Sequence, residues 1–380
     1  MKIGLSTTMI QGGKGGIGQY VFALVKALLA ERPDIKLHLF TLRDEIPLFD
    51  FAKGQVEIIP VEESVRSPIK NILFHQLTVP KEAKQHGLEL LHVPSYRRMI
   101  WSQSIPTVAT IHDLAPFHVK GKYDMARMFY GKVVVKQIAR RQQRIIAISK
   151  NTARDIQQFF GIPIKSQKLI LNGIDHSRFN PGDRATAKAL LAKNHSLLRP
   201  FFLYISRLEH PAKNHVRLIE AFEDFKREND SRWQLVFAGG DWHGAEVIHT
   251  RAAESEFSDD IRFLGFVDDD DVPDLYRAAD VFVYPSLFEG FGLPPVEAMA
   301  CGCPVVSSRA GSLDEVVSDA AATIDPLKVG DITTKLTHLA TNAEARQALV
   351  EKGFENAQRF HWSTNAQQVA KVYEQVLGRT

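Results

Sequence analysis

Short β-branched runs alternate with amphipathic stretches along the whole chain, twice over. The first half reads "KIGLST", then "GQYVFALVKALLAER", followed by "KLHLFTL", "VEIIPV", "LELLHVP", "TVATIH" and "RIIAIS". The second half begins at "FFLYIS" and predicts helices over 214–228, 243–255, 271–279 and 294–301, between "WQLVFAGG", "IRFLGF", "VFVYPS" and "PVVSS". Apolar strands separated by helices imply parallel sheets covered on both faces. The expected fold class is α/β, with two doubly wound Rossmann-like domains facing across a cleft. Ligands of such domains bind beyond the carboxyl ends of the strands.

Turn residues cluster in "NGIDHSRFNPGDR", 172–184, and set the expected boundary. This predicts an N-terminal Rossmann-like domain over 1–180, a C-terminal one over 181–360 and a terminal helix over 361–380. Ser363 suits the cap of that helix, and Val369, Val372, Tyr373 and Val376 share one face.

A length of 380 residues with 44% hydrophobic and 24% charged residues fits two soluble domains. No run of about 18 apolar residues suggests a span, and Met1-Lys2 leads into a strand, so a cytoplasmic protein is expected. Cys301 and Cys303 supply two thiols where a zinc site needs about four ligands, and they read as packing residues.

The net charge of +3 hides an asymmetry. Residues 1–180 carry 26 Lys and Arg against 14 Asp and Glu, a balance of +12, and the remainder carries 21 against 30, or −9. The basic half is densest at Tyr96-Arg97-Arg98 and over 131–144, where Lys132, Lys136, Arg140 and Arg144 have i, i+4 spacing opposite Val133–Val135 and Ile138. This is either a solvated helix face or a patch for an anionic membrane surface. No nucleic-acid partner is expected.

"QGGKGGIGQY" holds Gly13, Gly15 and Gly18 in G-x-G-x-x-G spacing between a strand and a helix. It admits an NAD-dependent dehydrogenase, with Asp44 or Glu45 as the ribose acid, and also a plain flexible turn. Against NAD, the loop is long, Lys14 interrupts it, and the chemistry-bearing motifs lie in the other half.

That half contains "SLFEGFGLPPVEAMACG", 286–302. Glu289 falls on the loop after a strand, Gly290 and Gly292 allow a sharp bend, Pro294 and Pro295 open a helix, and Gly302 closes it. Glu297 then lies one turn into a helix whose free amides suit an anion, though an acid there also stabilises the helix itself. Arg207 and Lys213, just past "FFLYIS", can reach a phosphate at the same sheet edge. Asp268–Asp271 match D-x-D but read better as acids crowding a helix N-terminus.

The run from Asp274 to Ala321, with "SRLEHPAKNHVRLIEAF", resembles the retaining nucleotide-sugar glycosyltransferases of family 4 with the GT-B fold. Glu289 and Glu297 match that family's E-x7-E motif. The resemblance covers essentially the whole chain and is more specific in the second half. It implies that Arg207 and Lys213 bind the donor diphosphate, that Glu297 holds the ribose, and that Glu289 stands beside the transferred sugar. It further implies Gly15 and Gly16 near the phosphates, His112 of "TIHD" facing the sugar, backbone around Phe266 and Val267 for the base, and amides at Gly292 and Leu293 for phosphate. The terminal helix is implied to return to the first domain. Pro295 departs from the family, where an apolar residue commonly precedes "EAM".

The implied activity is transfer of a hexose, mannose being favoured, from a UDP- or GDP-sugar to a glycan or lipid-linked glycan in surface polysaccharide assembly. No metal and no separate cofactor are expected, the nucleotide sugar being a substrate. The setting implied is cytoplasmic and peripheral at the membrane. A non-catalytic nucleotide-sugar-binding module remains the other alternative.

Overall fold

The computed structural model describes residues 1–13, 15–118 and 130–379, so Lys14 and the Lys132 side chain lie outside the described residues. The chain forms two compact units, Met1–Gly173 with Phe360–Thr380, and Ile174–Arg359. Each is an α/β domain on a parallel sheet, as the alternating pattern predicts.

In the first unit the strands are β1 Lys2–Ser6, β2 Lys36–Leu42, β3 Glu57–Val61, β4 Leu90–Val93, β5 Thr107–Ile111, β6 Arg144–Ala147 and β7 Gln167–Leu169, in spatial order β3-β2-β1-β4-β5-β6-β7. The order reverses between β1 and β4, which opens a crevice at their carboxyl ends. The glycine loop leaves β1 at that crevice. Register is fixed by burial, with Ile3 and Leu5 of β1 opposite Leu37 and Leu39 of β2, all in the core.

The helix Trp362–Val376 belongs to this unit, where Ala366, Val369, Val372 and Tyr373 pack with Tyr20, Leu24 and Leu28 of the helix Gly16–Glu31. Approach is close at its start, since a Cβ on Gly173 would sit 2.3 Å from the Trp362 amide. His361 occupies the cap, and Ser363 lies inside the first turn instead of capping it.

The second unit holds β8 Phe201–Ile205, β9 Gln234–Ala238, β10 Ile261–Phe263, β11 Val281–Tyr284, β12 Val305–Ser308 and β13 Ala321–Ile324, ordered β10-β9-β8-β11-β12-β13. Its reversal falls between β8 and β11. The loop carrying Arg207 and Lys213 and the loop carrying Glu289 therefore leave adjacent strands at the same crevice. Cys301 and Cys303 are buried free thiols, pushed up to about 12 in the first case by burial.

The basic stretch departs from its expected form. Tyr130–Val135 is a π-helical turn, only Lys136–Ala139 is α-helical, and Arg144 opens β6. A π turn advances the hydrogen bond to i+5, so the i, i+4 row is broken. Arg140 Nε donates to the Phe160 carbonyl at 3.0 Å, and Val133 and Val134 are exposed while Val135 and Ile138 are buried. Arg98, counted in the other basic cluster, is buried and donates through Nε to Asn71 Oδ1 at 2.6 Å. The helical row that the spacing suggests is thus not formed, while Arg140 and Arg141 remain exposed.

Candidate active site

In the second unit the turn before the helix His215–Asn229 delivers Lys213, and the loop after β11 delivers Glu289. Lys213 Nζ and Glu289 Oε1 are 2.6 Å apart, with side chains only 17% and 14% exposed. The Tyr284 hydroxyl donates to the same oxygen at 3.0 Å. Backbone contacts clamp the two loops together: the Leu287 amide donates to the Ala212 carbonyl at 3.0 Å. Tyr204 Oη donates to the Lys213 carbonyl at 2.7 Å, and Asn214 Nδ2 to the carbonyls of Pro285 and Pro326 at 3.1 and 2.7 Å.

Downstream, the Glu289 carbonyl accepts from the Ser312 amide at 3.0 Å, and Ser312 Oγ donates to the Gly290 carbonyl at 2.6 Å. A Cβ on Gly311 would sit 2.3 Å from the Glu289 carbonyl oxygen, so this close approach needs glycine. Gly292 has φ +95°, and a Cβ there would lie 2.4 Å from Leu313 Cδ2. Both space and backbone conformation demand glycine where the chain turns into the helix Leu293–Ala300.

That helix does not offer four free amides. Pro294 and Pro295 have no N–H, which confines early donors to Gly292 and Leu293. Among the described residues, neither amide has an acceptor. The sequence already held this restriction in its two prolines.

The two glutamates have opposite electrostatics. Burial raises the Glu289 carboxyl, but the Lys213 charge and hydrogen bonds from Lys213, Ser286 and Tyr284 outweigh it and hold the group below its ordinary value. Lys213 is correspondingly raised, Glu289 overcoming the cost of burial. Glu297 has no such cation. Its Oε2 accepts from Tyr276 Oη at 3.0 Å, and burial pushes its carboxyl up to about 7, with Tyr276 and Arg178 opposing and Asp269 adding to the rise. One acid is a fixed anion at neutral pH, and the other stands at its titration point. The tyrosines that hold them were missed in the sequence, although a phenol in an apolar buried run signals a partner.

Arg207 is about half exposed, 3.3 Å from Glu209 Oε2 and 4.8 Å from the centre of the Trp242 ring. A contact this open contributes little and leaves the guanidinium able to turn to an anion. Phe266 is exposed and Val267 half-buried on the loop after β10, next to Gly265, whose carbonyl accepts from the Gly239 amide at 2.7 Å. Asp269, from the same loop, acts electrostatically on Glu297. Asp271 precedes the helix Val272–Ala278 without capping it through its side chain, and no metal-binding group of three or more His, Cys, Asp or Glu exists among the described residues.

In the first unit Gly12 and Gly13 take φ +67° and +80°, Gly15 caps the helix and Gly16 begins it. A Cβ on Gly18 would meet Gly13 Cα and the Ile10 carbonyl at 2.9 Å, whereas one on Gly15 or Gly16 would meet nothing within 4 Å. Packing thus explains Gly18 and leaves open space over the other two. The Gly12 amide donates to buried Glu45 at 2.8 Å, and Arg66 Nη1 lies 3.0 Å from the same oxygen. Asp44 is also paired with Arg66. Of the two acids weighed for a dinucleotide ribose, Glu45 braces the loop and Asp44 pairs with Arg66.

His112 follows β5. Its Nε2 is shielded from water without a partner among the described residues. Burial brings its pKa down to about 4, against the opposing effect of the Pro94 carbonyl, so the ring is neutral. Tyr20 meets the ring edge-on at 4.7 Å, and its hydroxyl joins a buried chain through Thr110 (3.2 Å) and His92 (2.8 Å) to Tyr373 (2.7 Å).

The architecture and the E-x7-E turn define a glycosyltransferase of GT-B fold. The chain superposes on sucrose-phosphate synthase of Thermosynechococcus elongatus with TM-score 0.81 at 22% identity, all of both chains being covered. Against the Anabaena protein HepE in complex with UDP and glucose the TM-score is 0.78 at 21% identity, over 99% of this chain and 100% of that one. Residues 191–356 match the family of glycosyl transferases group 1, and residues 14–178 match glycosyltransferase family 4. The O-antigen chain mannosyltransferase B of Escherichia coli is 29% identical over 98% of this chain and 100% of its own length. The D-inositol 3-phosphate glycosyltransferase 2 of Catenulispora acidiphila is 27% identical over 96% and 91%. The chain belongs to the group 1 glycosyltransferases and is an enzyme of that class, which sets aside the dehydrogenase alternative.

Proposed function

We propose that the enzyme transfers a hexose, mannose by preference, from a UDP- or GDP-sugar to a glycan or lipid-linked glycan acceptor, with retention of anomeric configuration. The observation that carries this reading is the buried Lys213–Glu289 pair beside the unused amides of Gly292 and Leu293. A cation, two amides and half-exposed Arg207 at one strand crevice suit a diphosphate, and a fixed carboxylate suits sugar hydroxyls. Glu297, short of hydrogen-bond donors and titrating near 7, suits a ribose diol. Gly15 and Gly16 allow phosphate to approach backbone, His112 Nε2 accepts from a sugar hydroxyl, and the backbone at Phe266 and Val267 takes the base. Two relatives named as mannosyltransferases, O-antigen chain mannosyltransferase B and WbdA of Escherichia coli, support the sugar and a role in surface polysaccharide assembly.

In the reaction the C1–O bond to the diphosphate breaks and a glycosidic C–O bond forms to the acceptor hydroxyl. The hydroxyl proton passes to the departing phosphate oxygen. Lys213, Arg207 and the two amides stabilise the charge building on that phosphate, so the proposed chemistry runs without metal. Glu289 orients the sugar by accepting from its hydroxyls. Among the described residues no helix is long and apolar enough to cross a membrane, and we place the enzyme in the cytoplasm, peripheral at the membrane.

The test is a panel of UDP- and GDP-sugars screened for thermal stabilisation, followed by incubation of the best with lipid-linked and free glycans and NMR of the product's anomeric coupling. Retained configuration, and full activity in chelator, support the proposal. An inverted product, or activity restored only by Mn²⁺ or Mg²⁺, contradicts it.

A further inference from the structure

Residues 68–85 form one helical run, Pro68–Leu73, a π turn Phe74–Thr78, and Val79–Gln85. Its polarity is inverted. Asn71 and His75 face inward and are 1% and 0% exposed, while Ile69, Leu73 and Leu77 are 72%, 52% and 70% exposed. Their exposure sets all three on the outer side of the run, with Leu77 inside the π turn.

The inner polar face is committed. His75 Nε2 lies 2.8 Å from Ser6 Oγ, its Nδ1 lies 2.8 Å from the Asn71 carbonyl, and Asn71 Oδ1 accepts from buried Arg98. Rotating the helix to bury its apolar row would strand these groups. The outward leucines are therefore fixed in solvent by the fold.

The row continues onto a neighbouring segment. Gln76 Nε2 donates to the Met99 carbonyl and Gln76 Oε1 accepts from the Trp101 amide, both at 2.9 Å. This ties exposed Trp101 beside the helix, and the Arg141 guanidinium stacks over its ring at 4.1 Å. Lys81 is exposed one turn beyond Leu77, and Lys70 is exposed next to Ile69. Glu82 is the sole acid in the run 68–85. Protruding aliphatics and an indole among cations have the composition of an interfacial membrane contact, and the +12 half carrying them complements an anionic headgroup layer.

We propose that Ile69, Leu73, Leu77 and Trp101, flanked by Lys70, Lys81 and Arg141, are the surface by which this enzyme docks on an anionic lipid bilayer. The apolar row enters the headgroup boundary, and the cations remain at phosphate level. From the 131–144 stretch this surface takes in Arg141. It rests on the proposed reaction only for its purpose, that of keeping the first unit beside a lipid-linked acceptor.

The experiment is vesicle co-sedimentation of the full chain with phosphatidylglycerol-containing and pure phosphatidylcholine vesicles, for wild type, the triple variant Ile69→Ser/Leu73→Ser/Leu77→Ser, and Lys70→Glu/Lys81→Glu. Wild type is expected to bind the anionic vesicles, with added salt weakening binding, and each variant to lose about tenfold or more in partition. Unchanged melting and unchanged transfer to a water-soluble acceptor show that the variants fold and that the reaction is separate from docking. Absent wild-type binding, or a triple variant that binds as wild type does, overturns the proposal. So does a wild-type dimer that the triple change disperses without vesicles, because the row is then a contact between two copies. Failure of wild type to transfer sugar while it still binds vesicles counts against the proposed reaction and leaves this surface standing.

Discussion

Lys213 Nζ lies 2.6 Å from Glu289 Oε1, a cation from the β8 loop and a carboxylate from the β11 loop joined at the reversal of the strand order. The two residues assigned to opposite ends of a donor thus neutralise one another across the crevice. In the proposed donor placement a diphosphate would compete with Glu289 for Lys213, and the sugar hydroxyls would replace what Glu289 gives up. Removing one partner alone leaves a buried charge. Lys213→Met is expected to cost about 3 kcal/mol of stability and to raise the Glu289 carboxyl, so that the contribution of Glu289 to stability grows as pH falls instead of being lost as in wild type. Chemical denaturation across pH checks both effects.

Glu297 gives a pH dependence of fixed sign. Its folded pKa of about 7 stands above its ordinary 4.5, so the folded state holds the extra proton between those values. Its contribution to stability is fully present below 4.5 and is lost as pH rises through 7. Ribose hydroxyls donating to the carboxylate favour the ionised form. Affinity for the nucleoside diphosphate should therefore tighten from about pH 6 to about pH 8, and Glu297→Gln should flatten the profile. Calorimetric titration at several pH values reads this directly.

Histidines pull the other way. Burial lowers His112 and His75 to about 4 from 6.5, so the folded first unit keeps both neutral where the unfolded chain protonates them. That stability is present above 6.5 and is lost as pH falls through 4. Because His112 Nε2 has no partner, His112→Phe should leave melting unchanged or raise it by the equivalent of about 1 kcal/mol, while kcat/KM falls. Melting curves and steady-state rates on one preparation decide it.

The glycine loop separates packing from ligand approach. Gly18→Ala should destabilise, since its Cβ would meet backbone at 2.9 Å. Gly15→Val should fold normally, because Gly15 has φ −116° and open space, yet bind donor more weakly if phosphate approaches there. Unchanged donor affinity in a folded Gly15→Val protein would remove that glycine from the site.

Eleven of the thirteen strands among the described residues were legible as apolar runs, nine of them interior to a sheet and two, β3 and β10, at an edge. The two overlooked, β7 and β13, are sheet edges of three and four residues with half their positions or more open to solvent, where no apolar run is required. The acid pair was legible because glycine and proline bracket it. Its tyrosine partners and the charge contrast between Glu289 and Glu297 arise from contacts between distant segments. The inverted helix at 68–85 escaped notice for a related reason: periodicity reports an amphipathic face but not which side the fold turns inward.

The central claim is that Glu289 acts on the sugar while Glu297, Arg207 and Lys213 hold the nucleotide diphosphate. Calorimetry and transfer assays on Glu289→Gln, with the nucleotide sugar that stabilises wild type most, test it most directly. The account predicts nucleoside diphosphate affinity within about threefold of wild type and transfer lowered by about a hundredfold or more. Full transfer by Glu289→Gln would contradict it.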